Sequence, residues 1–349
     1  MWVTLLIHDS SVYYIITPSD VTSAYFNVLY LVCIDLYQYT LYSHQFILIR
    51  LFQMSQPWHQ WPMDLPSSNQ SVDPELQKQY NVITDLSFQR TLSHEQRQRF
   101  LHTMQQHDTA HACVLMAGGT SRDYELYDTD VEKTYFRQES FFRYLFMINE
   151  PDCCGMIELT TNKSILFVPR MADDTQRWSG EHKSSKWYCD TYGVDYTYYT
   201  DEINNVLQEY QIQLIYRLYG TNSDSGNATR TTITFDNIGT YKLNDKLLYE
   251  LLEQQRIIKT PNEIKLLRIG NLISSQAHVY VMRHIQSNTY ELQLEMLYKS
   301  YTGFYGGARH CAYSCICGSG HNGATLHYIN NNKLLTDNDM CVLDMVCIH

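Results

Sequence analysis

The sequence predicts an α/β fold, and three observations carry that prediction. Short apolar runs of strand length recur through the chain, among them Cys113-Val114-Leu115-Met116 and Ser164-Ile165-Leu166-Phe167-Val168. Segments read as helices are interspersed with them, the one at Ser93 with a capping signal. Thr260-Pro261-Asn262-Glu263 then opens a fresh helix, which divides the 349 residues into two parts. A chain of this length can bury two sizeable cores.

Taken in order, residues 1–53 differ from everything after them. They lack Gly, Lys and Glu, are rich in Tyr, Leu and Ile, and follow neither period. We expect translated sequence outside the fold, with Met54 as the start of the functional protein. Residues 54–90 are polar and carry prolines, which reads as a loose lead-in. Ser93 is expected to cap a helix, with Gln96 three residues on, Leu101 and Met104 on one face and Arg97 turned to solvent. Cys113–Met116 reads as a buried strand ending at Gly118-Gly119, and Asp123 to Asp130 as an exposed acidic stretch. Phe141–Ile148 and Ser164–Val168 read as strands, with Asn162-Lys163 as the turn before the second. Asp201–Tyr210 reads as a helix and Leu214–Leu218 as a strand, completing a first domain over roughly 90–250.

In the second part, Thr260 caps a helix with Ile264, Leu267, Ile269, Leu272, Ala277 and Val281 facing inward. A further helix spans Tyr290–Tyr301, and a glycine-rich strand-and-loop region follows from Gly303. No internal repeat is present.

Composition excludes several classes. Hydrophobic content of 44% with 18% charged residues fits a globular protein. A net charge of −11 argues against a general nucleic-acid binder, which needs a basic surface. The N-terminus has no early Lys or Arg, and His8 and Asp9 interrupt its apolar stretch, unlike a signal peptide. The run from Tyr25 to Leu36 is broken by Asn27 and Asp35, whereas a membrane span needs about 20 apolar residues. Ten cysteines follow no disulfide framework, and reduced thiols in the cytoplasm are the expectation.

The motifs thin out on inspection. Gly318-Ser319-Gly320-His321-Asn322-Gly323 matches a dinucleotide pattern by letter, but Ala324–Tyr328 after it looks like a strand, not an opening helix. His94-Glu95 starts a zinc-protease search that fails at Gln98. No G-x-S-x-G nucleophile elbow occurs. His310, Cys311, Cys315, Cys317 and His321 could hold zinc, although C-x3-C-x-C is not a standard spacing; small buried thiols are the competing reading. His327 lies in an apolar-flanked run. Asp344 is the stronger signal: it alternates with Val342 and Val346 on one side of an apolar strand, and a carboxylate there is costly to bury unless a cation meets it. That pattern reads as a metal ligand, against a turn-capping Asp as the alternative.

From about Arg90 onward the chain resembles the aminopeptidase P and creatinase group, and within it the eukaryotic Xaa-Pro dipeptidases (prolidases). The resemblance rests on Phe136–Phe142, Leu166–Arg170, Gly220–Gly226, Ile273–His278, Cys315–Gly320 and Leu326-His327-Tyr328. It implies a creatinase-type N-terminal α/β domain over 90–252 and the beginning of an incomplete pita-bread (α+β) catalytic domain over 253–349. Residues 1–89 are then a non-homologous leader, disordered or artefactual. The family's chemistry implies two Mn2+ ions held by two Asp, one His and two Glu, hard cations that favour carboxylate oxygen. The ions and their bridging hydroxide hydrolyse a dipeptide substrate with C-terminal Pro. By the same resemblance Asp344 matches the first metal-binding Asp, and His327 matches the His that contacts substrate. The remaining ligands would fall beyond His349, and Val346-Cys347-Ile348-His349 departs from the family pattern. We therefore expect a C-terminally truncated, cytoplasmic member, inactive by itself, with a homodimer implied by the family and no nucleic-acid or membrane partner. The competing expectation is a non-catalytic homologue acting through its N-terminal domain. An incomplete sheet with open strand edges makes that form prone to aggregate.

Overall fold

The computed structural model describes residues 2–8, 11–17, 47–50, 78, 81–82, 84–121, 135–172, 176–228 and 233–348, the first three stretches for their backbone alone. The expected acidic stretch Asp123–Asp130 lies outside the described residues, as do Met54 and most of the polar lead-in. Strands β1 (Trp2–His8) and β2 (Ser11–Thr17) pair as an antiparallel hairpin, and β3 (Ile47–Arg50) follows. The chain divides into two units, 78–267 on one side and 1–77 with 268–349 on the other.

Helix α1 (Leu86–Met104) begins the 78–267 unit. It starts seven residues before Ser93, because the Asp85 carboxylate already accepts from the Ser87 amide at 2.8 Å and serves as the cap. Ser93 is buried inside the helix and donates its hydroxyl to the Arg90 carbonyl. Arg97 is likewise not turned to solvent. Its guanidinium donates to the Leu145 and Gly193 carbonyls at 3.0 and 2.8 Å, and burial lowers its pKa to about 10.

Strand β4 (Ala112–Ala117) is central and apolar throughout, as a strand covered on both faces must be. Next come α2 (Ser140–Phe146), β5 (Cys154–Glu158), β6 (Lys163–Val168), α3 (Ser185–Tyr192), β7 (Tyr196–Tyr199), α4 (Ile203–Glu209), β8 (Leu214–Arg217), β9 (Lys242–Asn244) and α5 (Leu247–Ile257). The sheet order is β7-β6-β5-β4-β8-β9, antiparallel at β4·β5 and β5·β6 and parallel elsewhere. Side-chain alternation splits the core in two. Val114, Met116, Ile157, Leu166 and Tyr216 meet α1, α2 and α5, whereas Cys113, Leu115, Met156, Ile165 and Ile215 meet α4.

The expected strand at Phe141–Ile148 is a helix. Glu139 caps it by accepting from the Phe142 amide at 2.7 Å, and Met147 ends it in the left-handed region. Phe142, Leu145 and Phe146 then share a face at helical spacing, a pattern that a short apolar run hides from a period count. The turn at Asn162 is as expected, with φ of 59°. The Glu158 carboxylate accepts from the Thr160 and Thr161 amides and closes the β5–β6 hairpin.

Helix α6 (Pro261–His284) starts as its sequence requires. Thr260 Oγ1 accepts from the Glu263 amide at 3.2 Å, and Glu263 accepts from the Thr260 amide at 2.8 Å. Its buried stripe is narrower than expected. Ile269, Ile273, Ala277 and Val281 are buried at intervals of four, while Ile264 and Leu267 are exposed and Leu272 is half-buried. Helix α7 (Glu291–Gly306) leads to β10 (His310–Cys311), β11 (Ile316–Ser319), β12 (Met340–Asp344) and β13 (Cys347–Ile348). β12 lies between β11 and β3, antiparallel to both, and β10 pairs with β13. Among the described residues, no helix is long and apolar enough to cross a membrane.

Gly155 shows how tightly the first core is fitted. A Cβ there would lie 2.4 Å from the ring of Phe146. Gly155→Ala is expected to destabilise the protein by about 1–3 kcal/mol, the usual cost of overpacking a filled core. Urea denaturation measures it, and Phe146→Leu in the same chain should recover part of the loss.

Candidate functional site

The strand β12 alternates as its sequence implies. Cys341, Leu343 and, just beyond the strand, Met345 enter the core beneath α6 and α7, in contact with Ala277, Val281, Leu294 and Tyr298. Val342 and Asp344 take the opposite face. Asp344 is 2% exposed, lies across from Ile316 in the β11 register, and accepts a hydrogen bond from the Tyr313 hydroxyl at Oδ1. Burial, then this bond to the carboxylate, pushes the Tyr313 phenol well above its usual range, so it stays a donor.

Helix α6 anchors the backbone that follows Asp344. The Ser274 hydroxyl accepts from the Cys347 amide at 3.1 Å and is 2.8 Å from the Tyr298 hydroxyl. One turn later, His278 Nε2 lies 2.8 Å from the Met345 carbonyl. A carbonyl only accepts, so the imidazole proton sits on Nε2. Nδ1 is buried and has no hydrogen-bond partner among the described residues. Burial lowers the His278 pKa, while the bond to Met345 and the charge of Asp344 oppose the shift. The resemblance at Ile273–His278 marks a motif but gives its side chains no role. Their i, i+4 spacing was the available signal.

His327 is placed differently from the expectation. It is exposed on a turn rather than held in a strand, with Leu326 and Ile329 exposed on either side. Only Tyr328 is buried, and what buries it is a second carboxylate that the sequence reading missed. Glu291, at the start of α7, is 0% exposed. It accepts from the Ser319 amide at 2.6 Å, the Ser319 hydroxyl at 2.7 Å, the Tyr328 hydroxyl at 2.7 Å, the Lys333 amide at 2.9 Å and Asn322 Nδ2 at 3.1 Å. Burial alone would raise its pKa, but these donors, the Tyr328 hydroxyl foremost, outweigh burial and lower it.

This network accounts for the glycine-rich segment. Residues 320–324 form a short 3-10 turn, not the helix that a dinucleotide needs, and the expected strand at Ala324–Tyr328 is turn and coil. Gly318 has no room for a Cβ, which would lie 3.0 Å from the backbone at Asn322 and Gly323, and Gly320 takes a φ of 54°. The loop is folded around an internal carboxylate. The cysteines nearby are small packed thiols: Cys315 and Cys317 are buried in the core of this part. Among the described residues, no group of three or more His, Cys, Asp or Glu could hold a metal ion.

Residues 93–216 match the aminopeptidase P N-terminal domain, and residues 265–349 match metallopeptidase family M24. The human Xaa-Pro dipeptidase is 38% identical over 255 residues, which cover 71% of this chain and 51% of the relative. The mouse Xaa-Pro dipeptidase is 36% identical over the same length and shares. Zinc-substituted E. coli aminopeptidase P in complex with product superposes with a TM-score of 0.60 at 23% identity, over 74% of this chain and 59% of that one. Proline aminopeptidase P II from Yersinia pestis gives a TM-score of 0.60 at 25% identity with the same coverage. The fold is therefore the expected one, an aminopeptidase P-type α/β domain followed by the beginning of a pita-bread domain. The chain spans about half the length of the curated relatives it matches.

Glu291→Gln keeps the shape but removes the charge that five donors address. The loss should be about 2 kcal/mol or more, as for hydrogen bonds to a charged group. Because the folded-state pKa is lowered, this stabilisation is present above the unfolded carboxylate pKa and is lost as pH falls through the folded value. Denaturation curves of both proteins should differ most near neutral pH and converge in acid.

Proposed function

Because the chain belongs to the M24 metallopeptidase family, in its aminopeptidase P and Xaa-Pro dipeptidase group, we propose that it supplies the N-terminal domain and the opening of the catalytic domain of a prolidase-type peptidase. Its substrate class is then dipeptides with C-terminal Pro. In this reading residues 1–89 are a leader without counterpart, 90–252 the N-terminal domain and 253–349 the partial catalytic domain. The observation that carries the reading is Asp344, a carboxylate buried on one face of β12 within the M24 match.

Asp344 takes the role of first metal-binding Asp, and His327, on an exposed turn, that of substrate contact. Mn2+ is the proposed ion, two in a complete site, in a cytoplasmic and homodimeric enzyme. One buried carboxylate is a suitable donor for a hard divalent cation, but it is one ligand and not a centre. The described residues do not by themselves fit a two-ion site.

Two measurements test this. The 349-residue chain with Mn2+ should release no proline from Gly-Pro; measured turnover would contradict the ligand count. A chimera joining residues 90–345 to the C-terminal half of the human relative should hydrolyse Gly-Pro. In it, Asp344→Asn should abolish turnover, and His327→Ala should act mainly on KM. Full activity of the Asp344→Asn chimera would remove that residue from the chemistry.

A further inference from the structure

Three features of residues 310–317 bear on one another. Cys311 Sγ and Cys315 Sγ are 3.8 Å apart, so the two side chains already point at each other across a three-residue loop. Neither is held in a disulfide, and Cys311 is half-buried while Cys315 is fully buried. The other nearby thiols are engaged elsewhere. Cys347, although across from Cys311 in the β10·β13 register, lies 3.3 Å from the Ser274 hydroxyl, and Cys317 Sγ lies 3.6 Å from Met345 Sδ.

We infer that Cys311 and Cys315 form an oxidisable dithiol that closes to a disulfide when a hydroperoxide reaches the half-exposed Cys311. A disulfide needs its two sulfurs on converging side chains, and contact across a short loop meets that requirement. The Cys311 thiolate attacks the peroxide, an S–O bond forms, the O–O bond breaks, and the leaving oxygen takes up a proton as water or alcohol. The Cys315 sulfur then attacks Cys311, an S–S bond forms, the S–O bond breaks, and water leaves with the Cys315 proton. Two thiols lose two protons and two electrons, and one peroxide is reduced by those two electrons.

Chemistry and burial divide the roles. Hydrogen bonding to Cys311, then burial, pushes the Cys315 thiol far above the usual range, so it is the resolving partner and not the first to react. The closed ring would contain Tyr313, the donor to Asp344, and so restrain the backbone on both sides of that contact. This inference does not depend on the peptidase reading, because it concerns thiols of this chain whether or not a metal site is ever completed.

The test uses the folded 349-residue chain treated with hydrogen peroxide, alkylated and cut with trypsin. The peptide 310–333 should carry one alkyl group instead of three and weigh two hydrogens less than that singly alkylated peptide with free thiols, and dithiothreitol before alkylation should restore all three groups. Cys317→Ser should retain the link, while Cys311→Ser and Cys315→Ser should lose it. A link between Cys315 and Cys317, or between peptides through Cys347, would overturn the inference. So would sulfinic acid at Cys311 without a link, or a link that forms only after denaturation. Cys317→Ser leaves the core residues of the pair untouched, so the test stands even if Cys315→Ser fails to fold.

Discussion

A carboxylate taken out of water must be met by donors or by a cation, and residues 268–349 are built around two such groups. Glu291 is met completely, by five donors drawn from four residues over positions 319–333. Those donors are spread along a segment with little regular structure, so the carboxylate does for this loop what a ladder of backbone bonds does for a sheet. Asp344 is buried to a similar degree but takes the opposite face of its strand from the core under the helices. The same desolvation cost that makes Glu291 an organiser of structure makes Asp344 a candidate for chemistry.

The position of Asp344 depends on its pairing with β11 and on the hold of helix α6 on the backbone that follows it. Ser274 and His278 lie one turn apart and hold the backbone at Cys347 and Met345, immediately after the carboxylate. Ala277 between them is buried and small, which lets the core side chains of β12 approach the helix. The motif that marks the family at residues 273–278 is therefore a strand anchor.

The 78–267 unit is legible for a different reason. Its central strands are apolar on both faces, so Cys113–Met116, Ser164–Val168 and Leu214–Leu218 could be read as buried strands from composition alone. The helix start at Thr260 was legible because its cap is local, closed within four residues. Phe141–Ile148 misled because a run of five to eight apolar residues fits either period. The deciding features, the Glu139 cap and the left-handed Met147, lie at its ends. Arg97 was assigned to solvent because nothing in its neighbourhood reveals carbonyls offered from positions 145 and 193.

What the sequence determined by itself is whatever local physics decides: strand alternation around Asp344, the capping box at Thr260, the turn at Asn162 and the α/β class. What only the tertiary structure decided is every pairing across long separations. Glu291 was invisible as an organiser because its donors begin 28 residues downstream. The conformation of the glycine-rich loop and the exposure of His327 follow from it. The contact of Cys311 with Cys315 was also hidden, since spacing alone does not say which way two side chains turn. Local signals encode conformation, whereas burial and partnership arise only when the chain is brought together.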